Sequence, residues 1–156
     1  MVIGVIMIFF KGKNKTDEYK SLKEYKDYIE KLLNYDKYIS RKEYVNFYNK
    51  YNEVYSKLKL MEKEDVLFSW CKKNKTNYNE LKELISFYSS TEETINKSNE
   101  NFIERHLDSD RYYLDDILKE DDKNILLDEE QRKVVLSDED YTLVIAGAGS
   151  GKTTTI

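Results

Sequence analysis

The residues with the most chemistry in them lie at positions 146 to 154, reading A-G-A-G-S-G-K-T-T. From Ala146 to Thr153 they match the phosphate-loop pattern G-x-x-x-x-G-K-[ST] at every fixed position but the first, where alanine stands. Gly147, Gly149 and Gly151, with Ala148 and Ser150 between them, let the backbone turn sharply. Their N–H groups then face an anion with no Cβ in the way. Those amides and the N-terminus of a following helix favour phosphate oxygens. Lys152 is the point charge for the β and γ phosphates, and Thr153 offers its hydroxyl to Mg²⁺. Thr154 adds a further hydroxyl. The chemistry expected of this stretch is the binding of a magnesium–nucleoside triphosphate.

Such a loop works only when a strand delivers it and a helix leaves it. Tyr141 to Ile145 reads Y-T-L-V-I, and an apolar run of this kind suits a central parallel strand covered on both faces. Ahead of it, Asp128 stands as an N-cap with Gln131 three residues on, followed by Val134, Val135 and Leu136. This is the opening of a short amphipathic helix, and Ser137 to Asp140 ends it. No later strand bearing a Walker B carboxylate, no water-positioning residue and no arginine finger lies between Lys152 and Ile156. The 156 residues are therefore expected to be one piece of a larger machine and inactive in hydrolysis by themselves.

Upstream the pattern is helical. Leu22, Tyr25, Ile29, Leu32 and Leu33 recur at helical spacing from about Ser21, after a polar arm over Gly12 to Asp17. Tyr44, Phe47, Tyr48, Tyr51, Val54, Tyr55 and Leu58 form a second run, with Ser40 as N-cap and Glu43 as its capping-box partner. Glu62 to Cys71 either continues that helix or forms a separate one. Asn77, with Glu80 at the reciprocal position, opens a third run through Tyr88, which Ser89, Ser90 and Thr91 break. Ile95 to Leu107 and Tyr112 to Leu118 suggest two more helices. The stripe Tyr44, Tyr48, Tyr51, Tyr55 has the makings of a base-stacking platform, but its helical spacing among aliphatics favours core packing. With 14 tyrosines and no proline, the core must find outlets for hydroxyls, and helix ends must be set by Asn, Asp, Ser and Gly.

The formal net charge of −4 argues against a basic footprint over the whole chain, and Arg105 to Asp140 carries 13 acidic against six basic residues. Cys71 is the single cysteine, so no internal disulfide exists. A reducing, cytoplasmic setting and an inert buried thiol are expected. His106 is equally solitary and reads as structural rather than as a metal ligand. Met1 to Phe10 is apolar but too short to span a bilayer, so it reads as a buried strand or helix start, with membrane anchoring as the minor alternative, and no membrane partner is expected.

The stretch from Leu127 to Thr155 resembles the start of a UvrD/Rep-type superfamily 1 DNA helicase. Two motifs carry the likeness: L-D-x-x-Q-R-x-V-V from Leu127, similar to the Q motif, and A-G-A-G-S-G-K-T, the helicase form of the phosphate loop, in which Ala146 is ordinary. The resemblance implies that Gln131 reads the adenine edge of ATP, that Arg132 completes the usual Q-R pair, and that Ala146 to Thr154 hold ATP and Mg²⁺. It implies ATP-driven 3′-to-5′ movement on single-stranded DNA in the full-length protein. The helices bearing Asn101-Phe102 and Tyr112-Tyr113 resemble the N-terminal extension of helicase IV-like members. The implied fold is mainly α: a helical accessory region over residues 1–120, then, over 121–156, the first strand and phosphate loop of a truncated RecA-like α/β core. Two other readings stay open. One is a helical module that recruits a protein partner and carries a vestigial loop. The other is the start of a phosphate-loop ATPase of regulatory or defence type.

Overall fold

The computed structural model describes residues 17–109 and 127–139. The expected buried strand or helix start at Met1 to Phe10, all of the expected polar arm but Asp17, the helix at 112–118, the strand at 141–145 and the phosphate loop lie outside the described residues. The described part is mainly α, with helices α1 (Asp17–Leu33), α2 (Arg41–Lys63), α3 (Leu67–Asn74), α4 (Tyr78–Ser109) and α5 (Glu129–Leu136). Among the described residues no helix is long and apolar enough to cross a membrane.

Two expected boundaries move, and the alternative left open after Glu62 is resolved. Helix α1 opens at Asp17 rather than near Ser21, with Asp17 and Glu18 in its first turn, where the helix dipole favours acids. The stretch after Glu62 is a separate helix. Asp65 takes a left-handed conformation at φ 58°, Asp65 N–H donates to the Glu62 carbonyl at 3.2 Å, and Val66 N–H donates to the Met61 carbonyl at 3.0 Å. That pair of bonds is a Schellman closure. Helix α3 ends the same way at Lys75, φ 53°, where Thr76 N–H donates to the Cys71 carbonyl. Finally, Ser89, Ser90 and Thr91 do not interrupt α4. Ser89 Oγ donates to the Ser86 carbonyl at 2.8 Å and Ser90 Oγ to the Phe87 carbonyl at 3.3 Å, while Thr91 is fully buried. Hydroxyls bonded back into the preceding turn let a helix run through residues that otherwise compete with it.

The chain divides into two compact units, Met1–Tyr28 with Phe47–Ser90 and Ile29–Asn46 with Thr91–Ile156. The first is built on tyrosine. Tyr25 and Tyr88 are both 0 % exposed, with ring centroids 4.7 Å apart. The rings of Tyr48 and Tyr55 stack on Tyr88 at 4.6 and 4.4 Å. The Tyr88 hydroxyl finds its outlet in the Tyr48 carbonyl, donating at 2.6 Å. Leu22, Leu58, Leu67, Leu81 and Ile85 complete this core. Tyr51 is buried, and the half-buried Tyr48 and Tyr55 stack on Tyr88 within the same unit, as helical spacing favours, while Tyr44 is buried in the other. Cys71 is buried and free, and burial pushes its thiol pKa up, away from the reactive thiolate.

In the first unit Asn77 caps α4 through Oδ1, which accepts from Asn79 N–H at 3.0 Å and Glu80 N–H at 3.3 Å. Glu80 does not return the bond as expected. Its carboxylate accepts the Tyr19 hydroxyl of α1, a longer-range contact within the same unit, and holds that phenol's pKa up to about 12.

Candidate functional site

Two of the sequence-derived nucleotide residues, Gln131 and Arg132, fall among the described residues. Ala146, Gly147, Ala148, Gly149, Ser150, Gly151, Lys152, Thr153 and Thr154 lie outside them.

Gln131 sits in the first turn of α5, and the expected capping box forms in full. Asp128 Oδ1 accepts from Gln131 N–H at 2.8 Å, and Gln131 Oε1 accepts from Asp128 N–H at 2.9 Å. Two of the helix's orphan N–H groups are satisfied reciprocally. The arrangement also fixes the Gln131 carboxamide plane. Arg132 turns inward, only 5 % exposed, and its Nε donates to the Leu127 carbonyl at 2.9 Å. A guanidinium removed from water requires hydrogen-bond partners, and this one locks the entry to α5, where Leu127 is itself buried. On the outer face Lys133 pairs with Glu129 at 2.8 Å and Glu130 at 2.9 Å, which raise the lysine's pKa. These exposed pairs add little stability.

In the sequence, Ser137 to Asp140 marks only a helix stop. The structure gives Glu139 a further role. Its Oε2 accepts from Arg41 N–H at 3.2 Å, in the first turn of α2, and its Oε1 accepts the Tyr38 hydroxyl at 3.3 Å. A carboxylate at a helix N-terminus meets both the orphan amides and the favourable end of the dipole. Burial raises the Tyr38 pKa, and the Glu139 charge and hydrogen bond add to it, so the phenol stays a donor.

The segment that receives Glu139 is itself tied down within the same unit. Asn99 of α4, 7 % exposed, closes both carboxamide bonds on Ile39: Oδ1 accepts from Ile39 N–H at 2.8 Å and Nδ2 donates to its carbonyl at 2.9 Å. Asp36 pairs with Arg105 at 2.9 Å and faces His106 Nε2 at 3.3 Å, which places the lone histidine in a structural contact. At the start of α2, Glu43 accepts from Ser40 N–H at 3.0 Å and pairs with Lys37. Burial pushes the Glu43 pKa up, but the Lys37 and Ser40 bonds outweigh it and leave it below the usual carboxylate value. No local pattern announces Glu139, Tyr38 or Asn99, because their partners lie 60 and 101 residues away.

No curated protein and no solved structure matches the chain. Residues 127–156, which begin at the buried Leu127 and include the capping box, match the family model described as UvrD/REP helicase N-terminal domain. That match supports a UvrD-like helicase family for the segment which Asp128, Gln131 and Arg132 open.

Proposed function

We propose that residues 127–156 are the opening of the ATP-binding domain of a UvrD/Rep-like DNA helicase, and that the upstream helices are its accessory region. In the whole protein, ATP hydrolysis drives 3′-to-5′ movement along single-stranded DNA. The observation that carries this reading is the Asp128–Gln131 capping box inside the family match. It holds a glutamine carboxamide in one orientation at a helix start. Glutamine is suited to adenine because its oxygen and NH₂ group complement the N6 donor and N7 acceptor of that base. The donor set therefore fits an adenine nucleotide.

In this reading Gln131 selects the base and Arg132 keeps the turn that presents Gln131 closed. Gly147, Gly149 and Gly151 offer amides to the phosphates, Lys152 neutralises the β and γ oxygens, and Thr153 holds Mg²⁺. When bound, the magnesium–triphosphate supplies the phosphoryl group whose transfer to water powers movement.

The test is ATP hydrolysis by the intact gene product with and without single-stranded DNA. The expected result is stimulation by DNA and loss of turnover in Lys152→Ala, with the helical circular dichroism unchanged. DNA-stimulated turnover that survives Lys152→Ala overturns the assignment.

A further inference from the structure

We propose that the outer side of α3 and the start of α4 form a binding surface for single-stranded nucleic acid, in which Phe68 stacks on a base and Lys72, Lys73 and Lys75 take the phosphates. The surface lies within the first compact unit, outside the segment that matches the helicase family, and it stands without the nucleotide assignment.

The two sides of α3 differ sharply. Leu67 and Cys71 are each 1 % exposed and pack inward, whereas Phe68 is 62 % exposed. Its ring meets that of Tyr78 edge-on, with centroids 5.4 Å apart and planes at 81°. The ring is thus braced on one side and left mostly in water. Such a ring suits base stacking, which is tolerant of sequence because every base has a π-face. Lys72 follows Phe68 by one helical turn, Lys73 is next to it, and Lys75 is the left-handed residue that closes the helix. All three lysines are exposed, and among the described residues none of them has an acidic partner. Two carboxylates of the adjoining helices are already engaged. Glu80 accepts the Tyr19 hydroxyl, and Glu62 faces Lys59 at 2.8 Å and Lys82 at 3.7 Å. Glu64 and Asp65 precede the opposite end of α3. Residues 67–82 carry four lysines and one acid, Glu80, in a chain whose formal net charge is −4. Lysines in the last turn complement the negative end of the helix dipole. That role accounts for their charge but not for the exposed aromatic one turn away. Unpaired cations beside a braced ring match a polyanion that also carries flat, accessible apolar groups. A single strand has both. A duplex hides the faces of its bases, and an acidic peptide has none.

The experiment is a fluorescence-anisotropy titration of the intact gene product, free of nucleotide, with labelled oligo(dT) over a range of salt concentrations. The variants are Phe68→Ala, Phe68→Trp, and Lys72→Gln, Lys73→Gln and Lys75→Gln combined. The control combines Lys20→Gln, Lys23→Gln and Lys31→Gln, which removes the same charge from exposed positions of α1. Any strand contact elsewhere in the protein is common to every variant. Phe68→Ala is expected to weaken binding by about 5-fold or more without changing the salt dependence, and Phe68→Trp to bind as wild type. The triple lysine variant is expected to bind more weakly and to lower the slope of log K against log salt by about 2, at about 0.7 per phosphate contact on a single strand. The control should keep the wild-type slope. A triple lysine variant indistinguishable from the control, or Phe68→Ala binding as tightly as wild type, overturns the proposal. So does poly-glutamate that displaces the labelled strand as well as unlabelled oligo(dT) does, since the surface then fits an acidic polypeptide equally. A protein that shows the expected losses on oligo(dT) yet fails to bind Mg·ATP upholds this surface and overturns the nucleotide assignment alone.

Discussion

Asn99 satisfies the whole backbone of Ile39 with one side chain, accepting its N–H at 2.8 Å and donating to its carbonyl at 2.9 Å. In effect the carboxamide stands in for a neighbouring strand, and it gives the connection between α1 and α2 the partners that buried backbone demands. Replacing it with alanine leaves both groups of Ile39 without that partner. Asn99→Ala is expected to lower unfolding free energy by roughly 1–3 kcal/mol, read as a fall in the urea midpoint. A change much below that range would mean water replaces the amide at no loss.

The tyrosine core makes a sharper distinction between ring and hydroxyl. Tyr88 is fully buried, is stacked by Tyr48 and Tyr55, and donates to the Tyr48 carbonyl at 2.6 Å. Tyr88→Phe should cost about 0.5–1.5 kcal/mol, the net worth of one hydrogen bond. Tyr88→Ala should cost about 3–5 kcal/mol, as for other large aromatics cut back to alanine. Equal losses in the two variants, measured by denaturant unfolding, would show that the ring contacts contribute nothing.

Much of this was legible beforehand, and the exceptions have local causes. Amphipathic spacing found α1, α2 and the first half of α4, and the Asp128–Gln131 box located α5 at its true start. Whether the chain breaks after α2 stays open in the sequence because the left-handed cap there is Asp65 rather than glycine, and α3 likewise ends on a left-handed Lys75. Ser89 to Thr91 read as a stop because their hydroxyls commonly compete with helix bonds, whereas here Ser89 and Ser90 bond backward into the turn. The capping motif that holds Gln131 and precedes Arg132 is local and therefore visible in the sequence. Glu139 is not, since its role is created by residues about 100 positions earlier that only folding brings near.

Acid stability should carry the mark of Glu43. Lys37 and the Ser40 amide hold its folded pKa below the usual carboxylate value, so the ionised form is favoured by folding. Its contribution is complete above the unfolded carboxylate pKa of about 4.3 and is lost as pH falls through the folded value. Glu43→Gln should therefore destabilise the protein near neutrality and flatten the decline of melting temperature from about pH 5 downward. A variant whose acid limb is as steep as that of wild type would assign the decline to other carboxylates.

The capping box should link stability to ligand choice. Asp128→Ala removes the acceptor for Gln131 N–H and should cost about 1 kcal/mol, as N-cap losses generally do. If the box also orients the Gln131 carboxamide for a base, this variant should bind Mg·ATP more weakly than a variant of equal stability made elsewhere. Calorimetric titration reads the difference, and equal affinity in the two would confine the box to holding the helix start.

The account as a whole turns on residues 127–156 gripping an adenine nucleotide, and the most direct measurement compares Mg·ATP with Mg·GTP binding in wild-type protein and Gln131→Ala. The expected outcome is a clear preference for ATP in the intact gene product that largely disappears when the carboxamide is removed, with phosphate-dependent affinity retained. An unchanged ratio of the two dissociation constants after Gln131→Ala, or no binding of either nucleotide by the wild type, would contradict it.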